Sequence, residues 1–163
     1  MKKLIPLLLV LVGCSVAVNG QTQPGKDSSA KTSKTDNTRR RAVILPGTTP
    51  NGLFSPAIVA GDLVFTSRQI GVDPKTSQIV AGGIEQETEQ VFRNLTAVLE
   101  AAGTDLDHIL KATVFLADMD DYNVMNELYR KRFKGDPPAR TTVQVARLPR
   151  NARIEIEAIA LVK

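Results

Sequence analysis

Tryptophan is absent from this 163-residue chain, and cysteine and histidine occur once each, at Cys14 and His108. A single cysteine excludes an internal disulfide framework and any cysteine-built zinc or iron–sulfur centre, and a single histidine excludes paired-histidine metal motifs. His108 follows the Gly103-Thr104-Asp105 turn and reads as a surface histidine with no partner at metal or triad spacing. Aromatic residues are sparse as well, at 4%. Chemistry in this chain therefore falls to carboxylates, arginines, hydroxyls and backbone groups. Its length and 42% apolar content suit one globular domain, because roughly 100–150 residues is the commonest domain size.

Excess positive charge is missing from the body of the protein. Lys and Arg total 21 against 17 Asp and Glu, but residues 1–41 hold eight of the basic residues and only Asp27 and Asp36 of the acids. Residues 42–163 keep 13 basic and 15 acidic residues, a net charge of −2. Nucleic-acid binders carry their positive charge on the folded surface, so the balance argues against nucleic acid as a partner.

Residues 1–14 combine Lys2 and Lys3 with the run Leu4 to Gly13, which ends at Cys14. Ten apolar or small residues are too few to span a roughly 30 Å hydrocarbon core, and the pattern is that of an export signal. Leu11-Val12-Gly13-Cys14 resembles the bacterial lipobox, whose cysteine is lipidated and becomes the new N-terminus. The expectation is a lipoprotein anchored in the bacterial cell envelope and facing the periplasm. The alternative is a secretory peptide cut near Ala17 to Gly20, giving a secreted or periplasmic protein. Residues 15–41 are rich in Ser, Thr, Gln, Lys and Asn and cannot bury enough apolar surface to offset ordering entropy, so they are expected to form a disordered tether.

Beyond the tether, Ala57–Gly61 and Leu63–Thr66 read as strands joined by a tight Gly61-Asp62 turn. Asp73 to Thr76 makes a second turn leading into Ile79-Val80. Ile84, Thr88, Val91, Phe92, Leu95, Val98, Leu99 and Ala102 recur at spacings of three and four, while Glu85, Glu87, Glu89, Arg93 and Glu100 take the other side. That pattern predicts a helix stopped by Gly103. Ile109–Leu116 is a strand, Asp118–Phe133 a second helix capped by Asp118 or Asp120, and Arg140–Ala146 and Arg153–Val162 are closing strands. The order β-β-β-α-β-α-β-β makes an α+β domain with two helices packed on one face of a mixed sheet. Alternation groups Arg140, Thr142 and Gln144 on one side of their strand, and Glu155 with Glu157 on theirs. A polar sheet face bearing Arg, Glu and Gln is expected to form a subunit interface containing clefts.

Several segments together resemble the RidA family of reactive-intermediate deaminases. They are Asp62 to Ile70, Asn94-Leu95 with Val98 to Gly103, Lys111 to Leu116, Pro138-Ala139-Arg140, Val145 to Pro149 and Ile154 to Ala158. The resemblance covers nearly all of 43–163, defining a domain at 42–163. It implies a chorismate-mutase-like fold, a homotrimer with inter-subunit clefts, no cofactor and no metal. It also implies hydrolysis of enamines and imines such as 2-aminoacrylate and 2-iminopropionate to 2-oxo acids and ammonia. Carried over position by position, Arg140 clamps the substrate carboxylate and Glu155 positions water. Asn126 and Ser67 are polar cleft positions, and Thr142 stands where several relatives have Cys.

Physical chemistry supports those roles separately. A guanidinium fork matches a planar carboxylate with two charge-assisted hydrogen bonds, and a carboxylate of suitable pKa moves the protons of hydrolysis. Two departures bear on activity. Gly52-Leu53-Phe54 replaces the family's Gly-Pro-Tyr, removing a phenolic hydroxyl, and Arg68 replaces the usual glycine of Ser-Gly-Gln. Arg68 either narrows the cleft or adds a cation for a larger or dianionic ligand. The alternatives to an imine deaminase are a non-catalytic trimer binding small carboxylates at the envelope and an endoribonuclease, the latter opposed by the charge balance.

Overall fold

The computed structural model describes residues 40–49 and 52–163. Cys14 and the segment through Arg39, where the export signal and most of the tether are expected, lie outside them. The described chain runs β1 (Arg40–Val43), β2 (Ala57–Ala60), β3 (Leu63–Thr66), β4 (Gln69–Ile70), β5 (Val72–Asp73), β6 (Gln78–Ile79), α1 (Gly83–Ala102), β7 (Ile109–Leu116), α2 (Tyr122–Arg130), β8 (Ala139–Gln144) and β9 (Ile154–Leu161).

The main sheet has the order β1-β2-β3-β9-β7-β8, with β4 pairing on β9. β7 and β8 are parallel and the other pairs antiparallel, so the sheet is mixed as expected. Gly61, at φ +59°, supplies the positive dihedral that the tight β2–β3 turn requires. β5 and β6 form a separate small hairpin around Asp73-Pro74-Lys75-Thr76, so Ile79 belongs to that ribbon and not to the main sheet.

Helix α1 follows its periodicity closely. Val91, Phe92, Leu95, Val98, Leu99 and Ala102 are buried against the sheet residues Val64, Val114, Ile154 and Ile156 in one core. Gly103, at φ +93°, closes the helix: its N–H bonds to the Glu100 carbonyl and the Thr104 N–H to the Leu99 carbonyl, both at 3.0 Å. Glu87, expected on the solvent side, is buried because its carboxylate accepts the Arg153 N–H at 2.8 Å. Asn94 donates through Nδ2 to the carbonyls of Ile70 and Val72 at 2.9 and 2.8 Å, tying the helix to the β4–β5 segment.

Other boundaries shift for local reasons. Arg40 and Arg41, assigned from sequence to the tether, pair with Ala60 and Val59 as an edge strand. Charged residues suit an exposed edge, and Arg41 also donates to the Ala102 carbonyl at the end of α1. The second helix is shorter than expected, because Met119–Asp121 forms a 3-10 turn in which Asp118 accepts the Asp120 N–H. Of its apolar residues, Met125 and Tyr129 are fully buried and Tyr122 and Phe133 pack beside them. Phe92, Tyr129 and Phe133 make a ring cluster joining α1 to α2, with centroids 4.9 to 6.4 Å apart; Phe92 meets the other two edge-on, and they are tilted to each other.

Helices cover one sheet face. The other is open and carries Phe65, Ile159, Thr113, Thr141, Val143, Phe115, Glu155 and Glu157 in lateral register. Arg140 is not among them. It pairs with buried Ala112 and so stands on the helix-covered side of edge strand β8. The single polar face shared by Arg and Glu is therefore corrected: the two residues lie on opposite faces of one protomer's sheet.

Candidate active site

Arg140 is placed by the parallel β7–β8 register and framed by α2. Its guanidinium lies over the Tyr129 ring, 4.6 Å from the centroid, and near the Tyr122 ring at 5.9 Å. A contact of that first kind contributes on the order of 0.5–2 kcal/mol, while the hydrogen bond from Nη2 to the Tyr122 hydroxyl is stretched to 3.5 Å. Ring stacking, more than hydrogen bonding, orients the fork. Among the described residues no carboxylate pairs with Arg140. Asn126, Tyr129, Arg130, Pro137 and Pro138 complete a cleft of about 360 Å³ around it.

The ionisable groups here respond to that cation. Tyr122 is lowered by a hydrogen bond from Asn126 and then by the Arg140 charge. Tyr129 is pushed up to about 12 by burial, which outweighs Arg140. Asn126 Oδ1 and Tyr129 Oη in this cleft, and Thr142 Oγ1 two residues along β8, are buried with no hydrogen-bond partner among the described residues. Tyr122 and Tyr129 were not identified as site residues from the sequence, where both read only as apolar-face positions of a helix.

Glu155 belongs to a second cluster on the open face. It is 4% exposed, and its carboxyl titrates above the ordinary range because burial disfavours the charge; Arg68 partly offsets this and Glu157 adds to it. Arg68 Nη1 is 3.4 Å from Glu155 Oε2, yet that oxygen accepts no hydrogen bond, so the contact is an ion pair without hydrogen-bond geometry. Phe54, Ser67, Arg68, Pro149, Arg150, Glu155 and Glu157 line a cleft of about 790 Å³. Ser67 Oγ donates to the Ser55 carbonyl at 2.7 Å and its N–H to Pro56 at 2.8 Å, so the hydroxyl holds the Phe54–Ser55 loop against β3.

The sequence-derived residues thus form two groups. Arg140, Asn126 and Thr142 share the helix-covered side of β8, and Glu155, Arg68, Ser67 and Phe54 share the open-face cleft. Phe115 is in register with both Glu155 and Val143, which places Arg140 two strands away from Glu155, about 10 Å across the sheet and three residues, roughly another 10 Å, along β8, and on its other face. Sequence missed Arg147 and Arg150, which line the Glu155 end of the open face. His108 pairs locally with Asp105 at 2.7 Å and lies in neither cleft. Among the described residues no cluster of His, Cys, Asp and Glu suits a metal ion.

Residues 47–162 match the family model described as Endoribonuclease L-PSP. The chain belongs to that family. It is 44% identical over 110 residues to the human 2-iminobutanoate/2-iminopropanoate deaminase, an alignment covering 68% of this chain and 80% of the relative. Its fold superposes on the crystal structure of RidA from the Antarctic bacterium Psychrobacter with a TM-score of 0.70 and 36% identity, covering 75% of this chain and 99% of that one. Escherichia coli TdcF with bound serine gives a TM-score of 0.68 and 35% identity, covering 76% and 99%. The RidA resemblance read from the motifs and these matches indicate the same family and the same mixed α+β fold.

Proposed function

We propose that the protein hydrolyses reactive enamines and imines of small 2-amino acids to 2-oxo acids and ammonia, in sites completed between neighbouring protomers of a homotrimer. The observation that carries this reading is the separation of Arg140, which no acid among the described residues pairs, from the buried carboxyl of Glu155 on the opposite sheet face. Neither cluster holds both groups, whereas an edge strand of one protomer packed on the open face of the next brings one of each together. Exposed Phe65, Val143 and Leu161 on that face favour such packing. The deaminase name of the human relative and the serine held by a solved relative agree with a small carboxylate ligand.

In this reading Arg140 grips the substrate carboxylate with two parallel hydrogen bonds. Asn126 and Thr142 offer oxygens that lack partners, each of which costs roughly 1–3 kcal/mol while unsatisfied. Glu155 takes a proton from water as the water oxygen bonds to the carbon of the protonated imine, returns it to the carbinolamine nitrogen, and accepts the hydroxyl proton as the C–N bond breaks to leave ammonia and the 2-oxo acid. A carboxyl raised above the usual range suits these transfers. The substrate is already an electrophile, so no covalent nucleophile is demanded. Phe54 supplies ring surface without a hydroxyl at the cleft mouth.

The test is ketoacid formation from imines generated by an amino-acid oxidase. Wild type outpacing buffer supports the proposal. A wild-type rate equal to buffer for every imine favours instead a carboxylate-binding trimer, a reading consistent with Arg68 occupying the Glu155 carboxyl. Export and lipidation at Cys14 are proposed with this function, and a mature mass lacking a lipidated N-terminal Cys14 contradicts them.

A further inference from the structure

Three arginines line the Glu155 end of the open face. Arg68, Arg147, Arg150 and Glu155 line a cleft of about 550 Å³ with Phe115, Leu148 and Pro149, and it shares Arg68, Pro149, Arg150 and Glu155 with the larger cleft. Across the two overlapping clefts three cations face two acids, Glu155 and Glu157, which leaves a net positive charge in the shared space. Arg68–Glu155 is the one ion pair these arginines make among the described residues.

The three differ in how their donors are used. Arg147 gives Nε and Nη2 to Asn151 Oδ1 at 3.1 and 2.8 Å. Arg150, in the left-handed region at φ +57°, donates to the Ser77 carbonyl. Arg68 makes no hydrogen bond among the described residues. Its half-exposed side chain spreads over the Phe115 ring, 5.4 Å from the centroid, and reaches Glu155 without hydrogen-bond geometry. Its fork is therefore the one available to an incoming anion, with the charges of Arg147 and Arg150 behind it.

Building on the imine-hydrolysis reading, we propose that Arg68 receives a second carboxylate, so that the favoured substrates are imines of dicarboxylic amino acids. The α-carboxylate sits on Arg140 of a neighbouring protomer, the imine carbon faces Glu155, and the side-chain carboxylate lies against Arg68. Water adds its oxygen to the imine carbon, the C–N bond breaks, and ammonia and a dicarboxylic 2-oxo acid leave. No oxidation or reduction accompanies the step.

Two readouts on the full chain test this: kcat/KM for imines made in situ from glutamate and aspartate against those from alanine and 2-aminobutyrate, and calorimetric Kd for 2-oxoglutarate against 2-oxobutyrate. Wild type is expected to prefer the dicarboxylic compound in both, by at least about tenfold, the contribution of one charge-assisted hydrogen bond. Arg68→Gln brings both ratios close to one, and Arg68→Lys retains most of the preference. Equal handling of the two classes by wild type, or a preference that survives Arg68→Gln, overturns the assignment. So does RNA binding that is lost in Arg68→Gln while the oxo acids are not distinguished. If no imine is hydrolysed but 2-oxoglutarate still binds through Arg68, the second-carboxylate site stands and the deaminase reading falls.

Discussion

Arg140 owes its orientation to an aromatic floor, and its charge is left for a ligand because no acid among the described residues claims it. Removing the fork in Arg140→Ala should lower kcat/KM for a 2-imino acid by about 100-fold or more. Arg140→Lys should recover little of that, since an ammonium keeps the charge but not the two parallel donors. Steady-state kinetics on both variants checks the pair. Glu155 is a carboxyl whose folded pKa lies above its unfolded value. Acting as base, it makes activity fall as pH drops through that raised value, so the pH profile of kcat/KM has an inflection above 4.5. The sign for stability is opposite. A raised carboxyl favours the fold fully below its unfolded pKa and loses that contribution as pH rises through the folded one. Glu155→Gln should therefore raise Tm relative to wild type at pH 7 to 8, with the difference vanishing near pH 4, as thermal melts across pH will show. An acid that costs the fold stability at neutral pH fits one retained for chemistry.

Among the elements, α1 and the β4–β5 segment position Arg68, which immediately precedes β4. Gly71 packs so tightly on the helix that a Cβ there would lie 2.9 Å from the Glu87 Cα, a backbone atom that cannot swing aside. Gly71→Ala should destabilise the protein by about 1–3 kcal/mol in denaturant melts. Asn94→Ala leaves two carbonyls without their donor and should cost a similar amount, roughly 1–3 kcal/mol. The same geometry explains why the Asn94 side chain faces β4 and β5 and not solvent. Helix α1 was readable from sequence because its burial is set by local three- and four-residue spacing. β4 was not, because two residues carry no periodicity and its pairing with Glu155 and Ile156 is long-range. The Asp118 turn shortened α2 through a side chain that competes with the helix for backbone N–H groups.

At the scale of the whole molecule, the candidate residues picked out by sequence divide between two sheet faces, and that division was not legible. Alternation within β8 groups Arg140 with Thr142, but which side faces the helices depends on the Ala112–Arg140 pairing, twenty-eight residues apart in sequence and not encoded in either strand alone. That pairing turns Arg140 away from Glu155 and makes neighbouring protomers a requirement of the proposed chemistry. Arg147 and Arg150 escaped notice for a related reason: a turn gives no period from which to infer what its side chains surround. The account therefore stands most directly on mixed oligomers of Arg140→Ala and Glu155→Gln chains, each inactive alone, co-expressed in equal amounts and assayed for imine hydrolysis. A site drawing one residue from each of two protomers predicts recovery of about a quarter of wild-type activity at random assembly. Mixed oligomers that form but stay as inactive as either parent would contradict it.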